Sequence, residues 1–463
     1  VTTASNTSAK RIRIFLASHK VPLLLFCGIY LFSGLSSVGT SFDSRWSVYV
    51  AMSLWTHGDT NLDEYRDALR ETGWYGMECV DASGHAVALK ADTCNGHWYN
   101  SYPIGGPVLT SPLIVAAVGF MHLLHPALGR FHSPMTMVEG FLQDDYGKAH
   151  AVIEMEVASA LLAATAVVMF YIARMYLPVS RSVWLALLFA LGTSAYSTAG
   201  RAIWQHTPSM LLLTIIVYML LRAGERPSLA AWAGLPVALS YTVRPTDALF
   251  VMIFTIYVAV RHRRYLLGYL AAAAPVAAVF LAYNFSIFHS MLSPYYRSDL
   301  YGFLPRYWAK WGVGLAGDMI SPGRGLLVFT PVFLFSIWGM IRRKWTASLA
   351  PWLSVLAVAQ WLVVAAYIAN WWAGHCYGPR FFTDVTPIFV LFLIPFFARW
   401  TELSRFTRAM FLTCALIGVA IHLRGGWSVA VYRWNVDPQN IDQHPERNWD
   451  WNDPQFLRFT RHE

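Results

Sequence analysis

Twelve apolar runs, most of them near the length that a bilayer crossing needs, punctuate this chain and govern what it can fold into. They fall at about 20–38, 108–124, 153–176, 183–199, 208–222, 229–243, 246–260, 265–288, 326–341, 349–369, 385–399 and 409–423. A hydrocarbon core is crossed by roughly 20 predominantly apolar helical residues. Backbone in lipid must satisfy its own hydrogen bonds, so such runs become helices. Composition agrees: 56% of the 463 residues are hydrophobic and only 13% are charged, against about 25% charged in a soluble chain. The 20 Trp, 23 Tyr and 28 Phe suit a membrane–water interface. The expected class is an all-α integral membrane protein. Its net charge of +9 comes from short clusters beside apolar runs. No continuous basic stripe exists, which points to membrane lipids rather than nucleic acid as the partner.

Basic clusters mark inside loops. Here they are Arg174 with Arg181, Arg222 with Arg226, "RHRR" at 261–264, "RRK" at 342–344, and Arg399 with Arg405 and Arg408. They alternate correctly if every run after 150 crosses. Run 108–124 breaks the parity, because a crossing there would move all these clusters outside. It carries Pro107 and Pro112, ends in His122 and His125, and is among the shorter runs. We therefore expect an interfacial helix that does not cross, and about eleven spans in all. The first span is "KRIRIFLASHKVPLLLFCGIYLFSGLSSVG", read as an uncleaved helix with its N-terminus inside. Residues 1–424 then form one transmembrane domain, with a large outer region at 40–150, a long outer loop at 289–325 and a short outer tail at 425–463. No internal repeat is evident, which counts against inverted-repeat transporters.

Five cysteines are too few for a disulfide scaffold. Cys27 and Cys414 lie in apolar runs and read as core residues. Cys79 and Cys94 flank "VDASGHAVALKADT", with Gly84 in the middle. They pair if that region faces an oxidising compartment and otherwise stay free thiols.

Under this topology the polar motifs share the outer face. They are "FDSRWS" (42–47), "HGDTNLDEY" (57–65), "GHWYNSYPIGGPVLTSP" (96–112), "GRAIWQHTP" (200–208), "YTVRPTD" (241–247), "SPYYRSDLYGF" (293–303), "SPGRG" (321–325) and "NWWAGHCYGPRFFTD" (370–384). Ionisable groups near membrane depth are costly and so hint at function. Asp43 is either a helix cap, helped by Ser44, or a catalytic acid or base; spacing does not choose. Arg45 stands two residues on, where a positive charge would favour the carboxylate. Asp59, Asp63 and Glu64 read as solvated or capping groups, and His206 as an interfacial hydrogen-bonder. Arg244, Arg324 and Arg380 each adjoin Pro or Gly on the Asp43 side. Individually they could snorkel; together they favour an anion site, since the guanidinium fork donates paired bonds to phosphate. Arg297 joins them as a phosphate-binding candidate, and Tyr102, Tyr295, Tyr296 and His375 are further site candidates in the same motifs. Trp371, Trp372 and Tyr377 could stack on sugar or lipid, or serve in an interfacial belt. There is no Gly-Lys-Ser phosphate loop, His-Glu-x-x-His or Cys-x-x-Cys motif, so neither a metal nor a soluble cofactor is indicated.

Taken in order, "FDSRWS", "YPIGGPVLTSP", "IWQHTP", "VRPTD", "SPGRG" and "YGPRFFTD" resemble the polytopic GT-C glycosyltransferases, including their RgtA/B/C/D-like and PMT-like branches. The likeness runs from about 20 to 424. It implies a polyprenyl-phosphate-sugar donor, a glycan, lipid or protein acceptor, and transfer on the periplasmic face of a bacterial inner membrane. It further implies a carboxylate base, probed here at Asp43, and arginines on the carrier phosphate. A departure from the pattern is that Ser44 follows Asp43 where many relatives carry a second acid. That leaves Asp43 acting alone or with Asp59, Asp63 or Glu64. The rival readings are a lipid-linked glycan flippase, which predicts charges at mid-membrane, and a glycan ligase or polymerase.

Overall fold

A computed structural model describes residues 19–36, 38–39, 42–87, 93–128, 146–296, 311–342, 346, 348–367 and 370–459. Its main helices, in order, are α1 (Lys20–Gly34), α2 (Trp46–Thr56), α3 (Gly105–Leu128), α4 (Tyr146–Arg174), α5 (Val179–Leu191), α6 (His206–Arg222) and α7 (Gly234–Val243). They continue with α8 (Ala248–Arg261), α9 (Leu266–Phe288), α10 (Trp311–Ile320), α11 (Phe333–Arg342), α12 (Ala350–Ala366), α13 (Thr386–Leu391) and α14 (Arg405–Trp427). The protein is mostly helical, as the apolar runs require.

Among the described residues, four helices are long and apolar enough to cross a membrane: Gly105–Leu123, His150–Arg174, Arg263–Phe288 and Arg405–Trp427. A fifth forms if Val179–Leu191 and Ser194–Arg201, which meet at 44°, make one broken span. The other apolar segments are shorter because local chemistry interrupts them. Run 326–341 breaks around Pro331 into Leu326–Phe329 and α11, where proline cannot donate to the helix ladder. At the bend after α5, Gly192 ends one helix and the Thr193 hydroxyl accepts from the Ala195 amide at 3.2 Å to start the next.

Burial separates the centre of the bundle from its rim. In α4, 61% of the apolar window is buried against α1, α5 and α6. In α9 the figure is 11%, and Leu267, Val279 and Phe285 point outward. A helix apolar all round and bare on most of its surface suits a lipid-facing position.

The helix expected over 108–124 is longer than its apolar run, so shortness is no reason to keep it out of the bilayer. α3 spans 24 residues, continuing through His122 and His125. Its prolines are accommodated locally. Pro107 lies in the first turn, where a missing N–H costs nothing. Pro112 leaves the Val108 carbonyl without its usual donor, and the Ser111 hydroxyl supplies one at 2.9 Å.

The outer region has its own small core. Strands β1 (Met77–Val80), β2 (Ala86–Val87) and β3 (His97–Asn100) form an antiparallel sheet in the order β2-β1-β3. Cys79 and Cys94 are joined in a disulfide beside it. Trp46, Trp74 and Trp98 pack there with Ile114 of α3 and Ile153 and Val157 of α4. That core seats the sheet and α2 on the helical bundle. Arg297, and the stretch 129–145 of the expected outer region, lie outside the described residues.

Candidate active site

One cavity of about 950 Å³ collects side chains from segments far apart in the chain, a volume typical of ligand sites. Its walls come from the α1–α2 turn (Phe42, Asp43), the outer region (Tyr75, Tyr102) and the turns before α6 and α8 (Trp204, Arg244). The end of α12 adds Val363 and Tyr367, the loop before α13 adds His375 and Arg380, and the tail adds Tyr432 and Asp442.

Asp43 sits in a rigid mount. Trp46 to Ser53 are all buried, so α2 is wedged into the outer core. The N-cap of α2 is Arg45, with no side-chain cap bond; the capping roles expected of Asp43 and Ser44 are not what they do. Instead the Asp43 carboxylate accepts a 2.6 Å bond from the Tyr75 hydroxyl through Oδ1 and pairs with Arg380 Nη1 at 3.3 Å through Oδ2. Tyr75 is itself aimed by Trp46, whose Nε1 donates to the Tyr75 carbonyl at 2.8 Å. Gly76 permits the tight turn: its φ is +68° and an added Cβ would meet the Tyr102 ring at 2.9 Å. Burial and then the Asp43 charge push the Tyr75 hydroxyl up to about 12. It therefore stays a proton donor to the carboxylate. Tyr102, 3.3 Å from the Tyr75 hydroxyl, is raised for the same two reasons.

Arg380 is the cation beside Asp43. Burial opposes its charge, yet the Asp43 carboxylate and neighbouring groups leave its pKa raised. Its guanidinium lies 4.2 Å from the Trp204 ring centre, and its buried Nε has no hydrogen-bond partner. The side chain as a whole is 12% exposed and lines the cavity. Arg45, expected to hold Asp43 ionised, turns elsewhere: it lies over Phe42 at 4.2 Å and reaches His150 at 3.5 Å. Ser44, in the place of a second acid, donates to Glu154 of α4. A carboxylate therefore does stand behind Asp43, supplied from a distant helix.

Arg244 also lines the cavity, bound by Asp384 and by His206 Nδ1 at 2.8 Å. Asp247 shares this buried corner and accepts from Ser209 at 2.6 Å. His206 thus orients an arginine. Tyr295 and Tyr296 reach the cavity as well. Tyr296 donates to the Tyr241 carbonyl at 2.7 Å, and the Tyr295 ring stands 5.5 Å from that of Tyr102.

Arg324 is the clear departure from the expected arginine set. It is 2% exposed and is not among the cavity-lining residues. Its guanidinium is spent on the carbonyls of Trp372, Gly323 and Gly374 and on Gln455 and Asn435, at 2.7 to 3.0 Å. It is a structural clamp. The reserve acids also lie apart from the cavity lining. Asp59 accepts from Ser53 at 2.9 Å, Asp63 binds His97 and the Trp98 amide, and Glu64 faces His57 at 3.4 Å.

Five residues of the site escaped the sequence reading. Trp204 and Asp384 sit inside motifs that were noticed, but their roles depend on which arginine each meets in space. Tyr75 lies among ordinary loop residues. Tyr432 and Asp442 belong to a segment read as a mere tail. Among the described residues, no group of three or more His, Cys, Asp or Glu could hold a metal ion. No protein-family model matches the chain and no curated protein matches it significantly.

Proposed function

We propose that this protein is a GT-C-type membrane glycosyltransferase that moves a sugar from a polyprenyl-phosphate donor to an acceptor hydroxyl on the outer face of a bacterial inner membrane. The observation that carries this reading is the Asp43–Arg380 pair, with Arg244 on the same cavity. A base, and cations for a leaving phosphate, share one space.

The chemistry follows from that pairing. Asp43 takes the proton as the acceptor O–H bond breaks. The acceptor oxygen attacks the anomeric carbon, and the bond from that carbon to the phosphate oxygen breaks. The leaving polyprenyl phosphate keeps the electron pair and gains a negative charge. Arg380 and Arg244, both lining the cavity, are placed to stabilise that charge. Tyr75 holds Asp43 in position and stays protonated. Attack from the face opposite the leaving group gives inversion. Ala248, Leu249, Val363 and Val364 at helix ends give the cavity an apolar wall, which suits a prenyl chain.

The topology supports the same reading. Cavity residues follow α1, precede α6, and stand between α7 and α8, after α9, after α12 and after α14. The basic clusters occupy the intervening ends. That alternation fits about eleven spans, several of them shorter than a straight crossing. α3 begins beside Thr242 at the cavity face, and α4 meets Ser44 there. The sequence between the two helices, residues 129–145, carries Arg130, Glu139, Asp144 and Asp145 and is too polar for a return crossing, so α3 is read as interfacial. The Cys79–Cys94 disulfide supports an oxidising compartment for this face.

The test is mass spectrometry of the glycans from cells carrying the parent chain, Asp43→Asn or no copy. A single sugar missing in both deficient strains is expected. A missing whole chain points to a ligase or polymerase, and unchanged glycans overturn the reading. Cysteines introduced at 85 and 140 should both react with an impermeant reagent from outside. Protection at 140 alone would mean that α3 crosses.

A further inference from the structure

The cavity has two unlike walls, and only one suits a lipid carrier. The second wall is polar and is built from the Trp372–His375 turn and the C-terminal tail, with Tyr432 and Asp442 facing the cavity. We infer that this wall, resting on the transferase reading above, is the acceptor subsite, and that it selects an uncharged or cationic polyhydroxylated acceptor through the Asp442 carboxylate.

Three observations carry this. First, Asp442 is positioned on purpose. Its Oδ1 accepts from Trp372 Nε1 at 2.9 Å, its Oδ2 lies 3.4 Å from His375 Nε2, and its own amide donates to Asn440 Oδ1 at 2.9 Å. The side chain is still 50% exposed, and a carboxylate has about four lone-pair sites, so it retains capacity to accept from hydroxyls.

Second, the wall stores strain. Ala373 and Gly374, both lining the cavity, have φ of +63° and +61°. For alanine that conformation costs about 1–3 kcal/mol and persists only where the surroundings impose it. Arg324 imposes it here, holding the carbonyls on either side of Ala373 while also binding Gln455 and Asn435 of the tail. Gln455 in turn binds the Gly378 amide and the Cys376 carbonyl, at 3.1 and 2.8 Å. Tail and turn form one rigid unit two residues from Arg380.

Third, the charge is segregated. Among the described lining residues Arg244 and Arg380 stand on loops that lead into helices, with Asp43 paired to Arg380, whereas Asp442 is the carboxylate of the polar wall, beside His375. A carboxylate there repels a phosphorylated or uronic acceptor and accepts bonds from neutral or amino sugars. The adjoining Tyr432 lines the cavity and provides the ring surface that sugars favour.

The test is saturation-transfer NMR of the full chain in detergent, with methyl glucoside, methyl glucosaminide and glucuronate as probes. Binding of polyprenyl phosphate is measured in parallel by native mass spectrometry. Both methyl glycosides should saturate more strongly than glucuronate. Asp442→Asn should weaken them about tenfold, as loss of a charged hydrogen bond does, with polyprenyl phosphate still bound. Asp442→Arg should reverse the preference towards glucuronate. Glucuronate bound as well as the glucoside, or glycoside binding untouched by Asp442→Asn, overturns the subsite. Failure of the parent chain to bind polyprenyl phosphate counts against the transferase reading instead, and sugar binding that still depends on Asp442 would then support this wall independently.

Discussion

Arg324 and Arg380 stand in nearly the same local sequence, one in "SPGRG" and the other in "YGPRF", yet their surroundings set them to opposite tasks. Arg324 is sealed in and bonded to five acceptors, tying the tail to the Trp372–Gly374 turn. Arg380 has one carboxylate partner, a Trp ring beneath it and a place in the cavity wall. A guanidinium whose donors are spent holds structure. One that lines a cavity can take up a ligand's charge. Local sequence cannot tell the two apart, because the acceptors that decide lie 48 to 131 residues away from Arg324 and 337 away from Arg380.

The sharpest way to break this contrast is at Asp43. Asp43→Asn keeps the shape and should still accept from Tyr75 and stay near Arg380, but it cannot take a proton. Transfer should fall by about 100- to 10,000-fold, while insertion, melting temperature and donor binding stay near those of the parent. Near-normal turnover would leave the Asp43–Arg380 pair as structural as Arg324.

Arg380→Lys comes next. A compact ammonium cannot reproduce the planar fork, so loss of charged hydrogen bonds worth about 1.5–3 kcal/mol should lower kcat/KM for the donor by about 10- to 100-fold. Melting in detergent should barely move. Arg324→Lys should do the reverse, with a clear fall in melting temperature, faster proteolysis of the tail, and an unchanged donor KM in the chains that remain folded. Equal loss of donor use in both variants would erase the distinction.

The smallest effect is expected at Tyr75. Tyr75→Phe removes one donor to the Asp43 carboxylate, worth about 1.5 kcal/mol at the low end for a bond to a charged group, and should slow transfer about tenfold. In a double-mutant cycle with Asp43→Asn, the second loss should vanish, because Tyr75 acts only through that carboxylate. Additive losses would give Tyr75 a separate role.

Much of the architecture was readable from the chain alone. Hydrophobic run length and scarcity of charge determine a helical membrane protein, because unpaired backbone in lipid leaves few alternatives. Loops with Pro, Gly and ionisable residues drew attention to Asp43, Arg244, Arg380, Tyr102, Tyr295 and Tyr296, which line one cavity. Helix continuity was less legible. Run 108–124 hid a helix that continues through its histidines, and runs 183–199 and 326–341 hid breaks. What only the tertiary structure decided is partnership. It replaced Arg45 with Arg380 beside Asp43, put Glu154 behind Ser44, withdrew Arg324 into a clamp, and brought Tyr432 and Asp442 to the cavity. The reason is physical. Span-forming tendency is summed over neighbouring residues and survives in the one-dimensional string. A charge's role depends instead on which groups lie within a few ångströms, and here those groups come from the opposite end of the sequence.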